Sequence, residues 1–225
     1  MNAPCTHRNS SENDRVAVIV ETRDAFFLPL VIKNAADKLG NEWNTHIFAP
    51  PALLATLRGL FPNCAFTTTK LHVEPPFTSS KYSALLRRPS FWNAIREETI
   101  LIFQLDTLFL RGIPKWAEEY DYIGAPCGEV TEDKVVFNGG LSLRKKAAML
   151  RTCGGDDTIC ESEPEDVYYT RKLRNHGGKL PSVSTALRFA CESLYHEDAC
   201  GVHGTDKYYI NPEVIFTEQV RRASH

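Results

Sequence analysis

The chain has 225 residues, 43% of them hydrophobic and 24% charged. That composition excludes a disordered chain, a collagen or a small disulfide-stapled scaffold, and it suffices for one sizeable core. The 26 basic and 28 acidic residues leave a net charge of -2, so no basic surplus exists to neutralise a nucleic-acid backbone and no nucleic acid is expected as a partner.

Residues 1–14 are polar, rich in Asn, Ser and charge, and are expected to form a flexible N-terminus. Arg15 opens Val16-Ala17-Val18-Ile19-Val20, an apolar, β-branched run short enough for a strand buried on both faces. Glu21-Thr22-Arg23-Asp24 breaks it. Leu28, Val31, Ile32, Ala35, Ala36 and Leu39 recur at helical spacing, and Gly40 stops that helix. Thr45–Ala49 reads as a second strand, Ala52–Leu60 as a second helix and Cys64–Thr68 as a third, short strand. Pro75-Pro76 marks a loop. Tyr82–Arg87 looks helical, Pro89 interrupts, and Ser90 is placed to cap a further turn through Trp92 and Ile95. The most apolar strand, Thr99-Ile100-Leu101-Ile102-Phe103, then runs straight into Gln104-Leu105-Asp106-Thr107.

Strand alternating with helix up to this point predicts a parallel α/β sheet. The second half departs from that pattern. Asp121–Ala125 and Val135–Leu143 read as strands, Lys145–Arg151 as a short helix and 156–163 as an acidic loop. Glu165–His176 reads as a helix ended by Gly177-Gly178, and the chain beyond Pro181 as loop-rich with short strands. No internal repeat or low-complexity linker interrupts the chain. The expectation is a single α/β domain over residues 15–225, with a Rossmann-like N-terminal half and a mixed central sheet.

No apolar run approaches the ~20 residues of a membrane-spanning helix, and the polar start has no signal-type apolar core. A soluble, cytoplasmic chain without a transmembrane segment is expected. The seven cysteines (Cys5, Cys64, Cys127, Cys153, Cys160, Cys191 and Cys200) form no CxxC pair. Reduced thiols are the simplest reading.

Four features could carry chemistry, and each has a plain structural reading beside it. Asp106 follows a deeply apolar strand, and ligands of open α/β sheets sit at the carboxyl ends of strands. A carboxylate there suits a hard divalent cation on a diphosphate, or it merely forms a turn. Asn138-Gly139-Gly140 interrupts a good strand, as a bulge or a close approach to a ligand would require, and Asn138 could bond a sugar hydroxyl. Ser162, Pro164 and Glu165 fit the start of a capped helix. Asp166 in its first turn suits the macrodipole, or serves as a general base kept ionised by the helix N-terminus. His203, between Val202 and Gly204, is a metal ligand, a diphosphate contact or an exposed loop histidine. The absence of Walker, GxGxxG, HExxH and GxSxG motifs disfavours the enzymes built on them.

The order of these features resembles glycosyltransferases of the GT-A fold. It is most similar to a family of GT-A-like proteins catalogued as a domain of unknown function, and more loosely to the rhamnosyltransferase domain of a large algal virus. The resemblance is carried by Ile102-Phe103-Gln104-Leu105-Asp106-Thr107, Tyr122-Ile123-Gly124-Ala125-Pro126, Asn138-Gly139-Gly140-Leu141-Ser142-Leu143-Arg144, Glu165-Asp166-Val167-Tyr168 and Gly201-Val202-His203. It extends to Tyr82–Trp92 and Val16–Arg23.

The resemblance implies a metal-dependent transfer of a sugar from a nucleotide-sugar, UDP-sugars being the commonest donors, to a glycan or other hydroxyl acceptor. Asp106 and His203 would be ligands to Mn²⁺ or Mg²⁺. Asp166 would be the catalytic base of an inverting reaction, or a sugar-binding group if the reaction retains configuration. Val20, Glu21, Thr22, Arg23, Tyr82, Gln104, Leu105, Asp106, Asn138, Gly139, Gly140 and Glu165 would bind the nucleotide-sugar. The sequence departs from the Asp-x-Asp metal motif at Gln104, an amide. That favours weaker metal binding, or a nucleotide-sugar-binding module that has lost activity. A nucleotidyltransferase would want a glycine-rich loop after the first strand, and Glu21-Thr22-Arg23-Asp24 has no glycine.

Overall fold

The first strand, β1 (Arg15–Val20), sends Ala17 and Ile19 to one face and Val16, Val18 and Val20 to the other, and all five are buried. Only a central strand covered on both sides needs such a run. The structure, a computed structural model, describes residues 13–23, 26–129, 131–153 and 163–204. After β1 come α1 (Leu28–Leu39), β2 (Asn44–Ala49), α2 (Pro51–Leu60), β3 (Thr67–Lys70), α3 (Ser79–Leu86), α4 (Pro89–Asn93) and β4 (Thr99–Phe103). The second half adds β5 (Leu108–Phe109), β6 (Tyr122–Cys127), β7 (Val136–Lys145), α5 (Lys146–Thr152), α6 (Glu165–Asn175), α7 (Val183–Phe189), β8 (Ala190–Cys191) and β9 (Gly201–Val202).

The main sheet has six strands in the order β3-β2-β1-β4-β7-β6. Strands β1 to β4 are mutually parallel, and β7 runs antiparallel to both β4 and β6. The expected mixed α/β sheet is therefore present. One face is covered by α1 and α2 through Leu28, Ile32, Leu53 and Leu57. The other is covered by α3 to α6 through Leu86, Trp92, Met149 and Tyr169. A second, three-stranded sheet has the order β5-β9-β8.

Several local expectations are corrected. The third strand starts at Thr67, later than the Cys64 expected. In α4, Pro89 takes the first position after Arg88, so Ser90 lies inside the helix and does not cap it. Beyond Pro181 the chain forms α7, capped by Ser182, whose hydroxyl accepts from the Thr185 N–H at 3.3 Å. Ser162, half of the expected capping box, and most of the acidic loop lie outside the described residues, as do residues 1–12. Cys127, Cys153, Cys191 and Cys200 are free thiols, whereas Cys64 is disulfide-bonded, which corrects the all-thiol expectation at that position. Among the described residues, no helix is long and apolar enough to cross a membrane.

Candidate active site

Between β1 and β4 the strand order reverses direction. From there β2 and β3 extend one way and β7 and β6 the other. Crevices form at the carboxyl ends of strands at such a switch point. A cavity of about 810 Å³ opens there. Val20, Glu21, Thr22 and Arg23 reach it from the end of β1, and Gln104, Leu105 and Asp106 from the end of β4. Because β7 runs antiparallel, its beginning lies at this same edge and supplies Asn138, Gly139 and Gly140. Tyr82 of α3, Glu165 and Asp166 of α6, and His203 complete the wall. Every residue singled out from the sequence as a site candidate thus lines one cavity.

The small second sheet explains how Asp106 and His203 meet. Asp106 lies just before β5, and His203 just after β9. β5 and β9 pair with Leu108 opposite Val202. β8 pairs along the other side of β9, Cys191 opposite Val202, which delivers Glu192. His203 is buried, with Nε2 3.3 Å from Asp106 Oδ1 and 3.2 Å from Gln104 Oε1, and Nδ1 3.3 Å from Glu192 Oε1. Burial would push its pKa down, but hydrogen bonds and charge from Asp106 and Glu192 outweigh it, and the pKa rises to about 9. The exposed-loop reading of this histidine is overturned.

The glycines face side chains of the protein itself. A Cβ on Gly140 would lie 1.9 Å from His203 Nε2, and one on Gly139 would lie 1.9 Å from Glu165 Oε1. Asn138, expected to bond a sugar hydroxyl, uses both ends of its amide internally. Its Nδ2 donates to Glu192 Oε1 at 3.0 Å, and its Oδ1 accepts from the Gly140 N–H at 2.6 Å. Glu165 reaches inward rather than back over the helix end. It is buried and pairs with Arg144 at 2.6 and 2.9 Å. Glu21 accepts from the N–H groups of Thr22 and Arg23 at 2.9 and 2.8 Å and from the Arg23 guanidinium at 2.9 Å. It thereby shapes the loop after β1. Tyr82 is half-buried with its hydroxyl buried near Gln104, and that burial raises its pKa well above the usual phenol value.

Asp166 stands at the N-terminal turn of α6, where a helix end favours the carboxylate. Burial wins nonetheless. With the Glu165 charge added, it raises the pKa to about 6, against the opposing pull of the Val167 N–H, the Arg144 charge and the Gly139 N–H. At a pKa of about 6 the carboxylate is still charged at neutral pH, but the net shift is upward, set by burial, and not the lowering that a helix end gives.

A family model described as a protein of unknown function (DUF5672) matches residues 66–203. The chain belongs to that family. The match ends on His203 and takes in Tyr82, Asp106, Asn138, Asp166 and Glu192, while β1 and β2 lie outside it yet stand inside the same sheet. A search of curated proteins finds no significant match. Among solved structures, mouse xyloside xylosyltransferase 1 in its apo form superposes with a TM-score of 0.57 at 11% identity. The alignment covers 87% of this chain and 99% of that one. At that identity the likeness establishes the fold, that of a GT-A glycosyltransferase.

Two residues of this DUF5672 chain that bond the site candidates escape sequence reasoning. Glu192 sits in a stretch with no motif, and its approach to His203 depends on two-residue strands too short for any periodicity. Arg144 is the last residue of Asn138-Gly139-Gly140-Leu141-Ser142-Leu143-Arg144, where alternation alone marks it as inward-facing. Among the described residues no group of three or more His, Cys, Asp or Glu is arranged to hold a metal ion. The donor set of Asp106 and His203 still fits a cation that draws its other ligands from a bound molecule. Glu192 on Nδ1 holds the imidazole with Nε2 toward Asp106, as an outer carboxylate does for a metal-ligating histidine.

Proposed function

We propose that this protein is a glycosyltransferase that moves a sugar from a nucleotide-sugar to an acceptor hydroxyl with inversion. The observation that carries the reading is the meeting of Asp106, His203 and Asp166 in one cavity at the switch point of a GT-A sheet. Asp106 and His203 would hold Mn²⁺ or Mg²⁺, with Glu192 orienting the imidazole. The cation, when bound, supplies positive charge to the departing diphosphate.

The loop clamped by Glu21 and the end of β4 bind the nucleotide portion. The glycine segment of β7 shapes the sugar pocket with its backbone. Asp166 takes the acceptor hydroxyl proton onto its carboxylate as the acceptor oxygen bonds to the anomeric carbon and the bond from that carbon to the diphosphate breaks. A carboxylate with a pKa near 6 is charged at neutral pH and is a stronger base than an ordinary aspartate. UDP is the donor nucleotide that the family resemblance favours, and residues 15–225 act as one domain.

The test is calorimetric titration of UDP, GDP and their common sugars with and without Mn²⁺. Binding of one nucleotide that is lost with EDTA and in Asp106→Ala supports donor class and metal site together. No binding of any of them overturns the reading. Gln104 favours a second reading, a binding module without turnover, because an amide stands where a second acid would strengthen the metal site. Metal-dependent hydrolysis of the bound donor separates the two.

A further inference from the structure

Beneath the cavity floor, Arg144 joins the two walls that carry the proposed base and the sugar pocket. Its side chain is fully buried. Its guanidinium lies 4.7 Å from the ring centre of Tyr122, 5.7 Å from Tyr169 and 5.8 Å from Trp92. The fork spans three partners. Nη1 and Nη2 donate to the two oxygens of Glu165, Nη2 also donates to the Gly139 carbonyl at 3.2 Å, and Nε donates to Ser142 Oγ at 2.9 Å. Glu165 is the residue before Asp166, and the Gly139 N–H is directed to the Asp166 carboxylate. Gly139 is therefore held by Arg144 at its carbonyl, in the peptide to Gly140, while its N–H, in the peptide from Asn138, faces Asp166. No side chain fits between, since a Cβ on Gly139 would strike Glu165 and would come within 2.8 Å of Arg144 Nη2.

An ion pair this deep is weak support for stability, because desolvation offsets most of its attraction. Its placement against Asp166 calls for another role. We propose that Arg144 is the positioning residue of Asp166, acting through Glu165 and the backbone of Gly139 to set where that carboxylate sits and how strongly it holds a proton. This assignment rests on the reading of Asp166 as a base. The groups facing Asp166 are Glu165 and the Val167 N–H on α6, Arg144 and Gly139 on β7, Tyr122 and Cys127 on β6, and Tyr82 on α3. Of these, Glu165 and Arg144 are the charged ones, and they push Asp166 in opposite directions. Tyr122, Tyr82 and Cys127 are neutral at physiological pH, and burial raises each of them further, Cys127 to about 12.

The experiment is a pair of conservative variants in the full chain. Glu165→Gln keeps shape and removes the negative neighbour. It is expected to lower the Asp166 pKa by about one unit, moving the acid limb of transfer to lower pH, with kcat reduced and the donor KM little changed. Arg144→Lys keeps charge but loses the fork that serves Glu165 and Gly139 together. It is expected to raise the Asp166 pKa and move the limb the opposite way. Carboxyl ¹³C titration, with the Asp166 signal assigned by its loss in Asp166→Asn, reads the same shifts without turnover. If wild-type protein shows no transfer, the glycosyltransferase reading fails while this titration still decides the positioning role. Should Arg144→Lys not fold, Glu165→Gln alone carries the test. An Asp166 midpoint unmoved in Glu165→Gln overturns the proposal and leaves the pair a structural one.

Discussion

Gly140 and His203 are packed backbone against ring, with no space for a side chain at position 140. A Cβ there would lie 1.9 Å from Nε2, the nitrogen that faces Asp106. Gly140→Ala must displace the imidazole from Asp106 or bend β7, at an expected cost of about 1–3 kcal/mol. Mn²⁺-dependent donor binding should weaken with it. Gly59→Ala, in α2 where a Cβ meets nothing within 4 Å, is the control and should stabilise by about 0.5–1 kcal/mol. Thermal melts of both variants check this. Equal melting temperatures would show that the contact does not constrain His203.

Asp166→Asn removes the proton acceptor while keeping the shape of the pocket. Transfer should fall by roughly 10²–10⁴-fold, with donor affinity within a factor of two or so of wild type. In wild type, kcat/KM should drop as pH falls through about 6, because protonation of Asp166, raised to about 6 by burial and Glu165, removes the base. Persistence of transfer in the variant would reduce Asp166 to an acid at a helix start.

The cation site makes a separate claim. Asp106→Ala should abolish Mn²⁺-dependent donor binding, and His203→Ala should shift the Mn²⁺ titration to higher concentration by about tenfold or more. Glu192→Gln, which leaves both ligands in place and weakens the acceptor shared by His203 Nδ1 and Asn138 Nδ2, should lie between wild type and His203→Ala. A Mn²⁺ titration unaltered by His203→Ala counts against its role as a ligand.

His46 predicts the acid limit of stability. It is buried on β2, with Nε2 2.8 Å from Thr69 Oγ1 and Nδ1 3.0 Å from Thr67 Oγ1. Burial lowers its pKa to about 4, partly opposed by the charge of Glu97. Above pH 6.5 folded and unfolded chains both hold it neutral, and it contributes no pH dependence. As pH falls from 6.5 to about 4 the unfolded chain takes up a proton that the folded chain refuses. Stability is lost across that window, by up to roughly 3 kcal/mol. Urea midpoints of wild type and His46→Gln, followed from pH 7 to 4, should diverge from parallel, with the variant losing less. Parallel curves would remove His46 as the cause.

The first half of the chain was legible because its signals are local. The run from Val16 to Val20 is β-branched throughout, Leu28 to Leu39 keeps helical spacing up to a Gly40 of positive φ (68°), and Thr99 to Phe103 is apolar throughout. Each pattern declares its element from neighbours in sequence. The site was legible in membership for the same reason, since Asp106 and Val20–Arg23 follow strands whose carboxyl ends had to form an edge. Partnership was not legible. Asn138 read as a sugar contact, yet it bonds Glu192, 54 positions away. Glu165 read as a cap, yet it belongs to Arg144.

The sequence by itself determined a mixed α/β sheet, its strand-end carboxylate and the acidic start of the helix that carries Asp166, because hydrophobic period and turn chemistry act within a few residues. The tertiary structure alone decided that His203 is buried against Asp106 and Glu192, that the two site glycines make room for the protein's own side chains, and that burial outweighs the helix end at Asp166. Those outcomes depend on desolvation and on contacts between residues some tens of positions apart, which arise only when β5, β8 and β9 close their small sheet over the ends of the large one.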